Sequence, residues 1–317
     1  MEPEYLKRLL IALGGNAILQ AGERGTIQEQ IANVEATARK LARIVASWYE
    51  VVITHGNGPQ VGNILIQNER AKDEVPAMPL DVCGAESQGL IGNLIQQVLS
   101  NEIRQMGKST EIATVLTQVV VDRNDPAFKT PTKPIGPWLT REEMLEGKKA
   151  GSHWIEDPDK GWRRVVASPM PLRILNRGSI VALISQGIVV IACGGGGIPV
   201  IQDESGNLSG VEAVIDKDLA SQCLARDIDA DIFLILTDVP AVYLNFGKDK
   251  QTPIGRIRAA EMRALLDKKT FPAGTIGPKV EAAVRFVEKG GEKAIIAGLD
   301  QAEDALKGKT GTTIIEE

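Results

Sequence analysis

The sequence is short of the residues that covalent and metal chemistry most often use. Of 317 residues only His55 and His153 are histidine, and only Cys83, Cys193 and Cys223 are cysteine. A histidine-rich metal site or a compact His-based triad is therefore poorly supplied. The cysteines lie far apart, one is necessarily odd and none forms a C-x-x-C pair, so reduced thiols are expected. Aromatic residues make up 4% of the chain, and a net charge of −5 lacks the basic footprint of a nucleic-acid binder. No apolar run approaches the roughly 20 residues that cross a bilayer. The start, MEPEYLKRLL, has an early acid and neither h-region nor cleavage site, so a cytoplasmic protein is expected. The usual nucleotide signatures are missing too. Gly107-Lys108-Ser109 and Gly308-Lys309-Thr310 end like a Walker A loop, but Glu102 and Glu303 stand where its first glycine belongs. Neither the H-R-D and D-F-G pair of protein kinases nor a G-x-G-x-x-G after a strand is present.

What the chain has instead is glycine at the ends of apolar strands. Leu9 to Leu13 reads as a strand buried on both faces and runs into Gly14-Gly15-Asn16. Two glycines there let the backbone approach a ligand closely with N–H groups turned outward, as phosphate binding requires; the plain alternative is a tight strand-to-helix turn. Thr26 to Trp48 carries apolar residues at helical spacing, and Tyr49 to Thr54 returns as a strand. His55-Gly56-Asn57-Gly58-Pro59-Gln60-Val61-Gly62 then forms a second glycine loop opening a helix. Within it, His55 suits a strand-end residue bonded to its own loop, and Asn57 between two glycines suits a ligand contact. Ile188 to Cys193 empties into Gly194-Gly195-Gly196-Gly197, more glycine than a turn needs, which suggests close approach to a polyanion.

Other stretches bring charge or interrupt the α/β pattern. Gly84 to Met106 reads as a long helix whose small residues invite close packing by a strand or a second subunit, and Ile112 to Val121 as one β-branched strand. From Asp122 to Pro171 the core period is lost, so this stretch is expected to be a small excursion subdomain or lid, with Lys133 stiffened by Pro131 and Pro134. PVIQDESGNLSGVEAV reads as a hairpin, and Asp216-Lys217-Asp218 follows at a helix start, either fixing a lysine between acids or simply capping the helix. Asp231 to Thr237 is a strand ending in Thr237-Asp238. A last proline-glycine loop, Phe271 to Lys279, leads into a helix beginning at Lys279, and Lys293 to Ala297 and Thr312 to Ile315 are closing strands. Glycine loops and the lysines Lys133, Lys217 and Lys279 gathered at one sheet edge would suit phosphoryl transfer, which needs position and positive charge more than a nucleophile.

The segments ALGGNA (12–17), HGNGPQVGN (55–63), PTKPIGP (131–137), ACGGGGIPV (192–200), VIDKDLA (214–220) and GPKVEAA (277–283) together resemble a carbamate kinase of the amino-acid kinase family, a group including carbamate kinase-like carbamoyl phosphate synthetases. The resemblance spans nearly the whole chain. It implies an α/β fold with an open, mainly parallel sheet between helices and a small protruding subdomain. It further implies a single amino-acid kinase domain with an acceptor-side lobe over about 1–214, including the 122–171 excursion, and a nucleotide-side lobe over about 215–317. A homodimer, possible through the 84–106 helix, a place in arginine metabolism, and reversible Mg-dependent phosphorylation of carbamate by ATP go with it. On that reading Gly14, Gly15, Asn16, Asn57, Gly58 and Gly194 to Gly196 hold carbamate and the phosphoryl group. Lys133, Lys217 and Lys279 neutralise phosphate charge, with Asp216 and Asp218 orienting Lys217. Thr237, Asp238, Tyr243, Ile276 and Gly277 border the nucleotide, and Mg2+ is held by ATP phosphates and water without a dedicated protein cage. Two positions depart from the wider family: Ala12 stands where relatives acting on amino-acid carboxylates carry lysine, and Pro240-Ala241 is unusual in the nucleotide loop. Another amino-acid kinase, for an acylated amino acid or uridylate, and a non-catalytic nucleotide sensor are the competing readings.

Overall fold

The first apolar strand lies in the middle of the main sheet, as its composition demands. The computed structural model describes residues 6–316 except 21, 48, 150 and 273–275; the end of the expected first helix at Trp48 and the middle of the last proline-glycine loop lie outside the described residues. Eight strands run in the order β15 (Arg256–Arg258), β17 (Thr312–Ile315), β16 (Lys293–Gly298), β12 (Ile232–Thr237), β1 (Lys7–Leu13), β2 (Tyr49–His55), β9 (Val189–Ile191) and β3 (Ile112–Thr114). All neighbouring pairs are parallel except β16 with β17. A parallel strand needs cover on both faces, which is why Leu9 to Leu13 are all fully buried.

The period of two along each strand divides the core into two layers. Leu10, Ala12, Val52, Phe233 and Ile235 face one side, with α6 (Lys217–Asp227) and α8 (Ile276–Glu288). Leu9, Ile11, Val51, Ile53 and Leu234 face the other, with α1 (Ile27–Val45) and α3 (Leu80–Gln105). α1 starts where its sequence says it should. Thr26 and Glu29 form a reciprocal capping box, Thr26 N–H donating to the Glu29 carboxylate at 2.8 Å. The remaining helices among the described residues are α2 (Gly58–Ala71), α4 (Arg141–Lys149), α5 (Arg177–Ile184), α7 (Ala259–Asp267) and α9 (Ala302–Leu306).

Three expectations need correction. Ile112 to Val121 is two strands, because the chain leaves the main sheet after Val115, whose N–H still donates to Ile191 O at 2.9 Å. Gln88 and Thr117 exchange two hydrogen bonds, and the Thr117 hydroxyl donates to Val115 O at 2.7 Å, which turns the chain there. β4 (Gln118–Val121) then joins a second sheet with β8 (Pro171–Ile174), β10 (Ile198–Gln202) and β11 (Leu208–Gly210). The 122–171 excursion does have an apolar interior: β5 (Lys133–Leu139), β7 (Gly161–Val166) and β6 (His153–Asp157) form an antiparallel sheet burying Ile135, Val165 and Val166, and Met144 of α4 is also buried. Its period was hidden because, among the described residues, β5 contributes one buried residue, β7 two and β6 none. The last expected helix start moves from Lys279 to Ile276, so Lys279 sits within the first turn of α8. The short pair β13 (Val242–Leu244) and β14 (Thr252–Ile254) completes the described strands, and among the described residues no helix is long and apolar enough to cross a membrane.

Candidate active site

Because β1, β2, β9 and β12 are parallel, their carboxyl ends open on one edge, where open α/β sheets bind ligands. Gly14 continues β1 and donates its N–H to Leu236 O of β12 at 3.0 Å. Asn16 reaches across to Asp238, its amide donating at 2.6 Å. The residues expected on the acceptor side and those expected on the nucleotide side are thus physically joined at the ends of β1 and β12.

The glycines of this edge separate into two kinds. A Cβ at Gly194 would press on the His55 ring, at Gly195 on the Asn57 amide, at Gly196 on the Ile215 carbonyl and at Gly197 on Val119. Gly195 and Gly196 also hold φ of +64° and +96°. The run of four glycines therefore has internal packing reasons that its sequence does not reveal. A Cβ at Gly15 or Gly58, in contrast, would meet nothing within 4 Å, and neither residue has a positive φ. No protein contact demands glycine at these two positions, so their backbone is open to close approach.

Asp216, Lys217 and Asp218 behave as both of the readings open from sequence. Asp216 caps α6, accepting from the N–H groups of Asp218 at 3.0 Å and Leu219 at 3.4 Å. Its other oxygen binds Lys133 Nζ at 2.8 Å, so β5 of the excursion is tied to the start of α6. Asp218 is shared: Lys217 Nζ lies 2.6 Å from Oδ1 and Lys279 Nζ 2.9 Å from Oδ2. Burial by itself would raise the Asp218 carboxyl; the two ammonium groups prevail and hold it well below the usual carboxylate range. Burial lowers the Lys217 ammonium, with Asp218 opposing and Lys279 adding to the fall. Three lysines from distant segments thus converge around two carboxylates, and the Lys217 stem lies beside Gly56.

The other expected residues take supporting places. His55 is bonded to its own loop, Nδ1 donating to Gly56 O at 2.9 Å, and burial pushes its ring down to about 4. Asn57 Nδ2 donates to Ser87 Oγ of α3 at 2.7 Å. Thr237 ends β12 and Tyr243 lies in β13 against the exposed Phe246, ring centroids 6.0 Å apart. Ile276 and Gly277 open α8, where a Cβ on Gly277 would come 2.8 Å from Pro272 O. Ala12 is fully buried on the α6 side of the sheet, within the apolar core layer there. Sequence reading missed Thr54, Ser87, Gln88, Thr117 and Ser221, all buried polar residues; a hydroxyl or amide inside an apolar stretch was their only sequence signal.

This arrangement has counterparts in known proteins. A sequence model of the Amino acid kinase family matches residues 7–298. A carbamate kinase of Pyrococcus furiosus is 50% identical over 98% of this chain and 99% of its own, and one from Thermococcus kodakarensis is 51% identical over 98% and 100%. The chain belongs to the carbamate kinases of the amino acid kinase family. A solved carbamate kinase from Giardia lamblia, bound to AMP-PNP, superposes with a TM-score of 0.93 at 44% identity, over 98% of this chain and 99% of that one. The carbamate kinase fold therefore accounts for 98% of the chain, and the expected mainly parallel α/β architecture is the observed one.

Proposed function

We propose that the sheet-edge site transfers a phosphoryl group reversibly between MgATP and carbamate, giving ADP and carbamoyl phosphate. The observation that carries this reading is the convergence of Lys133, Lys217 and Lys279 on Asp216 and Asp218, with the Lys217 stem beside Gly56 of the second glycine loop. Carbamate is already an anion, so its oxygen attacks the γ-phosphorus in line without a general base; the barrier is lowered by position and by positive charge on the phosphoryl oxygens. Gly14, Gly15, Asn16, Asn57, Gly58 and Gly194 to Gly196 frame the acceptor and the transferring group. Lys217 and Lys133 neutralise that group, Lys279 grips the nucleotide phosphates, and Thr237, Asp238, Tyr243, Ile276 and Gly277 border the nucleotide. Asp216 and Asp218 orient the lysines. Mg2+ arrives with the nucleotide as part of the substrate, held by phosphates and water, because both carboxylates nearest the lysines are already engaged in ion pairs. The nucleotide-side lobe begins near Asp216 and the acceptor-side lobe precedes it. The excursion shields an acyl phosphate that water would hydrolyse. The enzyme acts in the cytoplasm as a homodimer.

ATP formation from ADP, Mg2+ and carbamoyl phosphate, with acetyl phosphate as control donor, tests the assignment. Turnover with carbamoyl phosphate alone is expected. Turnover with neither donor, in a protein that still binds ATP, would remove carbamate as the acceptor and return the other amino-acid kinases to consideration.

A further inference from the structure

Two buried hydroxyls outside the phosphate site are wired to Lys217. Ser221 lies one turn along α6, and its Oγ is 2.6 Å from Lys217 O. Thr54 is the last residue but one of β2, and its Oγ1 is 2.7 Å from Ser221 Oγ. Both side chains are fully buried. The direction of the chain of bonds follows from counting protons. A carbonyl only accepts, so the single Ser221 proton goes to Lys217 O, and Thr54 must donate to Ser221.

The alternation of β2 explains why Thr54 can do this. Thr54 falls on the face of Val52, toward α6, while His55 turns to the opposite face, where its ring lies against Gly194. The end of β2 is thereby held on both sides, just before it delivers Gly56 and Asn57. The Asp216 cap fixes where α6 begins, and Asp218 holds the Lys217 ammonium; the Thr54–Ser221 pair is what ties the Lys217 backbone to the strand carrying the acceptor loop. A serine that bonds back to the carbonyl four residues earlier usually loosens a helix slightly, so its presence one turn into α6 needs another reason.

We propose that Thr54 and Ser221 are positioning residues for Lys217, setting the distance between its ammonium and the glycine loops of β1 and β2. This rests on Lys217 acting on the transferring phosphoryl group. Charge on that group is best matched in the transition state, so misplacing Lys217 lowers kcat more than it raises KM for ADP.

The test is a double-mutant cycle in the ATP-forming reaction, read as kcat and KM. Thr54→Val keeps the shape and removes the donor, and is expected to lower kcat about tenfold with KM for ADP within about twofold. Thr54→Ser restores most of the loss. In a Lys217→Ala background the added Thr54→Val costs less than about twofold, because the residue through which it acts is gone. Wild-type kcat in Thr54→Val, or the same tenfold loss with and without Lys217, overturns the inference while leaving the Lys217 assignment intact. Normal turnover in Lys217→Ala itself overturns both. Should Thr54→Val fail to fold, Ser221→Ala enters the same cycle with the same expectations.

Discussion

At Asp218 one buried carboxylate serves two ammonium groups, and that sharing leaves each lysine with unspent charge for a phosphate. Lys217 and Lys279 are 13% and 16% exposed in their side chains, enough for a ligand to reach the ammonium while the stem stays held. Lys217→Ala is expected to cost about 10²–10³ in kcat with the fold retained, by analogy with the loss of other oriented charge donors. Circular dichroism alongside steady-state kinetics separates that outcome from unfolding. His55 belongs to stability instead. Its folded ring stays neutral down to about 4, whereas the unfolded ring takes a proton near 6.5. Between those values the unfolded chain binds more protons, so the contribution of His55 is complete above about pH 7 and is lost as pH falls toward 4, roughly 3 kcal/mol in all. Urea denaturation at pH 7 and pH 5 should show a steeper loss in the wild type than in His55→Asn; parallel losses would mean that the buried ring does not control acid stability.

At the scale of the element, the contrast between Gly195 and Gly15 gives a direct test of what the glycine loops are for. Gly195→Ala must enter a left-handed conformation and displace the Asn57 amide, so a loss of about 2–4 kcal/mol in stability is expected together with lost activity. Gly15→Ala meets no protein atom and should leave stability within about 0.5 kcal/mol while kcat/KM falls. Thermal melts with kinetics decide it; a fully active Gly15→Ala would remove that loop from ligand contact. Local order was legible at this scale wherever the signal is local. Apolar residues at helical spacing after Thr26 announced α1, and an unbroken apolar run announced β1. The break between β3 and β4 was not legible, because Thr117 turns the chain through partners at Gln88 and Val115, and the Cys193 N–H donates to its hydroxyl at 3.0 Å from 76 residues away.

Over the whole molecule, α3 is divided between inner and outer duties. Gly92 admits Thr114 of β3 so closely that a Cβ could not fit, which answers the strand half of the expectation for this helix. Val82 and Leu90 remain 37% and 41% exposed on one side of the helix, with Gly89 open beside Leu90 and the exposed Glu86 between them. If the proposed homodimer uses this face, Leu90→Glu should shift sedimentation from dimer to monomer with little change in far-ultraviolet dichroism; a dimer unchanged by the substitution would place the interface elsewhere, and a wild-type monomer would remove the dimer.

The sequence by itself determined the central strands of the main sheet, the glycine loops at their ends, the start of α1 and the order of motifs that marks the family. These depend on composition, φ and hydrogen bonds within a few residues. Only the tertiary structure decided which charges meet. Lys133 finds Asp216 across 83 residues and Lys279 finds Asp218 across 61, pairings that exist because parallel strands bring their carboxyl ends to one edge and α6 and α8 start beside it. It also decided that Gly194 to Gly197 are glycine for the sake of His55, Asn57, Ile215 and Val119, since the crowding that forbids a Cβ comes from segments remote in the chain.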